Sequence, residues 1–180
     1  GGQSWEELGP ENWGSGLFGV INLLGPRTTE QRPANKFWSD QFTYVQLQFA
    51  FIDQLGAPLH LDRTFVSFFD LDTGAPQLNG IVNQIEGLQI GPEAAGVDLA
   101  PQTELLRLDS WAEFAHNATN APDEHVLDQW TASINVATQY GTGLDNPVEP
   151  SSLTDLQERR SVLVSFENTS SFRVRFAIFG

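Results

Sequence analysis

Phe42-Thr43-Tyr44-Val45-Gln46-Leu47-Gln48-Phe49-Ala50-Phe51-Ile52 decides the fold class of this chain. Val45, Leu47, Phe49 and Phe51 fall on one side of an extended backbone, and Gln46, Gln48 and Ala50 on the other. That period of two belongs to a strand with one buried face. Asp53-Gln54-Leu55-Gly56-Ala57-Pro58 closes it with turn-forming residues. The same pattern recurs along the chain. Phe65–Leu71 reads as a strand ended by Thr73-Gly74-Ala75-Pro76, and Ile81–Ile90 as another with Gly87 as a bend or bulge. Thr103–Leu108 and Trp111–Phe114 also fit a helix lined by Leu105, Leu108, Ala112 and Ala115; their β surroundings favour strands. Ile134, Val136, Thr138 and Tyr140 alternate again.

At the C-terminal end, Val162, Val164 and Phe166 face inward, and Glu167-Asn168-Thr169-Ser170 turns the chain. Phe172, Val174, Phe176 and Ile178 then return, with Arg173 and Arg175 outward, which reads as a hairpin. Ser152–Arg160 is the helical exception, with acids early and arginines late to suit the helix dipole. Short strands, polar turns and one short helix near residues 152–160 predict an all-β fold, an antiparallel β-sandwich or jelly roll. A length of 180 residues with 13 phenylalanines suffices for one core, so residues 1–180 are expected to form a single domain. Residues 1–40, rich in Gly, Pro and Trp, are expected to be irregular, carrying one strand and docking Trp5, Trp13 and Trp38.

Charge excludes whole classes of partner. With 23 acids against 9 bases, the net charge of −14 repels phosphate backbones and anionic membranes, so neither nucleic acid nor a lipid surface is expected. Cations, neutral glycans and positively charged proteins remain. There is no cysteine, which removes disulfides, thiolate zinc sites and cysteine nucleophiles. No stretch approaches the roughly 20 apolar residues of a membrane helix, so no insertion is expected. With no methionine even at position 1, the chain is expected to start after processing or inside a longer protein.

The chemistry-bearing residues start with Phe65-Val66-Ser67-Phe68-Phe69-Asp70-Leu71-Asp72-Thr73-Gly74. If the strand continues through this stretch, Asp70 and Asp72 share a face at i, i+2 and repel unless a cation sits between them. Ca2+ accepts several oxygen ligands at once, so Asp70 and Asp72 are the expected metal ligands, with Asp53 as a third if its strand lies alongside. An EF-hand loop is excluded, because Gly74 and Ile81 occupy positions that need ligands. The competing reading is two carboxylates capping a strand end.

His60-Leu61-Asp62 has the His-x-Asp spacing of jelly-roll iron oxygenases, with His116 or His125 as the distal ligand. No basic residue follows those histidines until Arg159, and a surface turn explains His60 and Asp62 equally well. Glu113 and His116 at i, i+3 form a single pair without a second, a weak metal signal. Asp70 and Asp72 are too close for glycosidase spacing if they share a strand face, and nothing selects Glu86 or Glu113 as a distant partner. No serine sits in a nucleophile elbow. A non-enzymatic protein is therefore expected. Trp111 and Trp130 lie in polar surroundings and are the expected sugar-stacking residues if the chain binds glycans. Core packing is the competing use of both. Asn117-Ala118-Thr119 and Asn168-Thr169-Ser170 fit the N-glycosylation sequon.

The stretch Phe65–Asp72 resembles an F-x-F-F-D-L-D signature found in large predicted surface or secreted proteins of marine microalgae, dinoflagellates among them. Asp145-Asn146-Pro147, Ser152-Leu153-Thr154-Asp155-Leu156-Gln157 and Arg160-Ser161-Val162 are similar to the N-P-x-x-P-x-x-L-T-x-x-Q-x-x-x-S-V stretch of the same domain, and Ser170-Ser171-Phe172 matches an element that follows. The resemblance implies a β-sandwich module outside catalytic metabolism, located outside the cell or on its surface. Taken with the residues, it leads us to expect a structural module stabilised by Ca2+ that acts in self-assembly or adhesion toward a surface or matrix partner. The alternatives are a carbohydrate-binding module and, last, the iron enzyme.

Overall fold

A computed structural model describes residues 42–75, 84–109, 133–142, 146–147 and 152–179. In chain order the strands are β1 (Phe42–Ala50), β2 (Leu61–Phe68), β3 (Ile85–Ile90), β4 (Ala94–Leu99), β5 (Leu105–Leu108), β6 (Ile134–Ala137), β7 (Val162–Thr169) and β8 (Ser171–Phe179). The helix α1 (Asp155–Arg159) precedes β7. All strand pairs are antiparallel. One sheet has five strands in the order β1-β8-β3-β6-β5; the other has three, β2-β7-β4. The expected all-β sandwich with one short helix is the observed architecture.

Alternation in β1 places its residues as the sequence dictates. Leu47 and Phe49 pack on the core, while Gln46 and Gln48 are exposed. The core lies between the sheets, where Val162, Val164 and Phe166 of β7 meet Phe172 and Val174 of β8, together with Phe68, Leu88 and Ile90. Phe166 and Phe172 stack with ring centroids 4.3 Å apart, and Phe49 stacks on Phe172 at 5.0 Å.

That facing arrangement corrects the expected C-terminal hairpin. β7 pairs with β2 and β4, whereas β8 pairs with β1 and β3. The turn therefore carries the chain across the core from one sheet to the other. Asn168 takes a left-handed φ of 47° there, and the Thr169 hydroxyl accepts from Ser171 N–H at 3.3 Å. Both strands need their apolar rows buried, and stacking the rows face to face satisfies them at once.

Other boundaries also move. β2 starts at Leu61 and stops at Phe68, so Asp70 and Asp72 lie beyond the strand instead of on its face. Gly87 is neither bend nor bulge, since it stays in register with Ala177 and Val136; a Cβ there would meet Ile134 Cδ1 at 2.9 Å. The irregularity sits instead in β4, between Ala94 and Gly96. β4 itself goes beyond the sequence reading, because Ala94-Ala95-Gly96 are poor strand formers and pairing with β7 supplies the order. Arg175 does point away from the core, yet it is only 2% exposed and hydrogen-bonds Gln46 and Gln89. The expectations for residues 1–40 and for Trp111–Phe114 lie outside the described residues.

Candidate functional site

The segment after β2 is fixed by its backbone. Leu71 N–H donates to Arg160 C=O at 3.2 Å, Thr73 N–H to Gln139 C=O at 2.8 Å, and Gly74 N–H to Gln84 C=O at 2.8 Å. Thr73 bridges Ile85 on one side and Tyr140 on the other. Asp70 makes the entry possible by adopting φ 63°, a left-handed conformation that Asp tolerates better than most residues. Strand alternation thus breaks at Asp70, and the i, i+2 argument for a shared face does not apply.

Backbone crossing, not strand periodicity, is what assembles carboxylates here. Glu86 N–H donates to Asp72 C=O at 3.3 Å, and Asp72 N–H donates to a Glu86 carboxylate oxygen at 3.4 Å. Glu86 continues the inward row of Leu88 and Ile90, so its carboxyl sits at the mouth of the core. Burial pushes its pKa from 4.5 to about 7, the Asp72 charge adds to the rise, the Asp72 amide opposes it, and Asp70 adds a smaller push. Gly141 completes the enclosure, because a Cβ at that position would run into the Asp72 carboxylate. Asp70 and Asp72 each engage further groups of their own. As they stand, no three His, Asp or Glu side chains among the described residues are spaced to hold a metal ion.

Beside this cluster lies a partly buried ion pair. Arg160 Nε meets Glu104 Oε2 at 2.9 Å, and Arg160 Nη2 donates to Tyr140 C=O at 3.0 Å. Arg160 follows α1, whose start is a capping box: Thr154 Oγ1 accepts from Gln157 N–H at 3.3 Å, and Thr154 N–H donates to Gln157 Oε1 at 2.9 Å. The L-T-x-x-Q and R-S-V elements of the sequence are therefore the parts that lock α1 and β7 to this end of the sandwich.

Asp53 stands apart from the cluster. Its carboxylate accepts from Leu55 and Ala57 N–H at 2.8 and 2.9 Å, closing the turn after β1. That turn adjoins the Ser171 and Thr169 ends of β8 and β7, while Asp70 follows the Val162 end. The length of β2, about 23 Å, separates the two ends. His60 and Asp62 are exposed at the same end as Asp53. Trp111, Glu113, His116, His125, Trp130 and the Asn117 sequon lie outside the described residues; Asn168 of the second sequon is exposed.

The sheets differ in what they show to solvent. On the outward side of the five-stranded sheet, Gln89, Ile134, Val136, Arg175 and Ala177 are buried. On the outward side of the three-stranded sheet, Phe65 is 53% exposed, with the Arg63 guanidinium 5.0 Å from its ring centroid and Leu163 nearby in the ladder. Sequence reasoning sought exposed aromatics among the tryptophans and passed over Phe65, although its place opposite Phe68 in the alternation was visible. Comparison with protein-family models, curated proteins and solved structures finds no match to this chain.

Proposed function

We propose that the chain is a non-enzymatic structural module that works by self-association, a β-sandwich building block for a surface or matrix outside the cell. One observation carries the reading: among the described residues, three of the four sheet edges are blunted and one is not. β2 opens with the exposed charges Asp62 and Arg63, β4 has a register shift and Asp98, and β5 is four residues long with Arg107 exposed. β1 is different. It keeps unbroken register with β8 over nine residues and contains no charge, proline or glycine. Natural sheets blunt their edges against pairing with other chains, so an edge left regular marks a place where pairing is used. Light scattering of the eluting protein across a hundredfold concentration range tests this; a monomer at every concentration overturns it.

Calcium belongs to the same proposal as a clamp on the opposite feature, the Asp70, Asp72 and Glu86 end. The donors are hard oxygens, the set Ca2+ prefers. The cation would have to draw the Asp70 and Asp72 carboxylates toward Glu86. A thermal melt that rises with Ca2+ and falls with chelator supports the clamp through binding linkage, and identical melts remove it.

A second reading rests on Phe65. An exposed aromatic ring on a sheet face, beside Arg63 and the small residues Gly96 and Ser165, can stack on a sugar. At −14 net charge the fitting ligand is a neutral glycan. Binding on a glycan array that disappears in Phe65→Ala would support it, and an array without hits would end it.

A further inference from the structure

We infer that the partner on β1 is the β1 of a second copy, paired antiparallel about a two-fold axis through Gln46. The inference rests on the self-association reading and names its surface and register. An isologous pairing of this kind is the commonest form of homodimer and leaves no further edge of that type exposed. It would join two five-stranded sheets into one of ten strands.

The register follows from the strand itself. Directly opposite residues in an antiparallel pair point to the same face, so only registers centred on a residue keep core side chains inward. Centring on Gln46 is the register that pairs all nine residues of Phe42–Ala50. Val45 then lies opposite Leu47 of the other copy, continuing the apolar row of the core. Gln46 lies opposite its own counterpart and Gln48 opposite Tyr44, giving polar pairs on the outward face. A slip of two residues in either direction leaves part of the strand unpaired.

Electrostatics select the same place. A chain of net charge −14 resists approach to its own copy over most of its surface. β1 carries no charge, and the strand behind it, β8, places Arg175 opposite Gln46, while Arg173, opposite Gln48, is ion-paired with Glu93 at 2.6 Å. β1 itself therefore adds no like-charge repulsion to the approach of two acidic molecules.

The absence of cysteine makes the register directly readable. In the proposed pairing, the two copies of residue 46 have Cα atoms about 4.5–5.5 Å apart, within disulfide reach. The two copies of residue 48 are separated by four residues along the strand, about 13 Å, and are out of reach. Mild oxidation should therefore cross-link Gln46→Cys into a covalent dimer and leave Gln48→Cys monomeric on a denaturing gel. Because Gln46 accepts a hydrogen bond from Arg175, an equimolar mixture of Tyr44→Cys and Gln48→Cys serves as an independent variant and should cross-link as well.

Cross-linking of Gln48→Cys with itself would overturn the register. A wild-type dimer with no cross-link in Gln46→Cys or in the mixture would overturn the β1 interface and leave self-association standing, by another surface. A wild-type protein that is monomeric throughout overturns both.

Discussion

Glu86 is a carboxyl at the edge of an apolar core, and its proton has a thermodynamic consequence. Its pKa is about 7 in the folded chain against an ordinary 4.5, so the unfolded chain releases the proton first. The native state binds more protons between those values, so the contribution to stability is whole below about pH 4.5, shrinks as pH rises, and is gone above about 7. A shift of this size is worth about 3 kcal/mol. In chelator-treated protein, Glu86→Gln should match the wild type in urea melts at pH 4.5 and exceed it by up to about 3 kcal/mol at pH 8. Parallel stability curves for the two proteins would show that the carboxyl is solvated. Sequence reasoning named Glu86 only as one of two unselected acids. Nothing in its spacing from Asp72 announces that a backbone crossing will bring them together; that contact is a product of the fold.

At the scale of elements, what was legible is what local chemistry specifies. β1 could be read because a single face is buried and the period is undisturbed. α1 could be read because its acids come early and its arginines late, and the structure adds the Thr154–Gln157 capping box. Thr154→Ala removes one acceptor from that box and should lower stability by about 1 kcal/mol in thermal or urea melts, with Thr154→Ser retaining most of it. The end of β2 was not legible, because a single left-handed residue at Asp70 stops it without any glycine or proline to mark the place. Nor was the partner of β7. Glu167-Asn168-Thr169-Ser170 suits a turn within a sheet and a turn between sheets equally well. Only the whole arrangement, in which β2 and β4 are waiting on either side of β7, decides between them.

For the molecule as a whole, charge and association are coupled. Two copies at −14 each repel at long range, and salt shortens that range from about 30 Å at 0.01 M to about 10 Å at 0.1 M. The dimer of the proposed kind should therefore tighten as sodium chloride is raised from about 0.01 to 0.3 M, seen as a fall in the concentration at which light scattering reports half dimer. An interface built on charge pairs would loosen over the same range. The uncharged character of β1 was plain in the sequence, but its position was not. Being an edge is a property of the sheet order, and sheet order is set by residues far away in the chain.

That sheet order has a consequence in time. β7 is the middle strand between β2 and β4, and β8 stands between β1 and β3, so residues 162–179 supply the centre of one sheet and an inner strand of the other. β1 finds its partner in β8 more than a hundred positions later, and among the described residues neither β2 nor β4 has a strand beside it until β7 arrives. Such pairings close very long loops and are slow to form. During synthesis the earlier strands must wait, with β1 already emerged, regular and uncharged, before the segment that completes both sheets exists. The strand best suited to join two finished molecules is also the one left longest without its native neighbour, which makes premature pairing between unfinished chains the hazard this topology has to outrun.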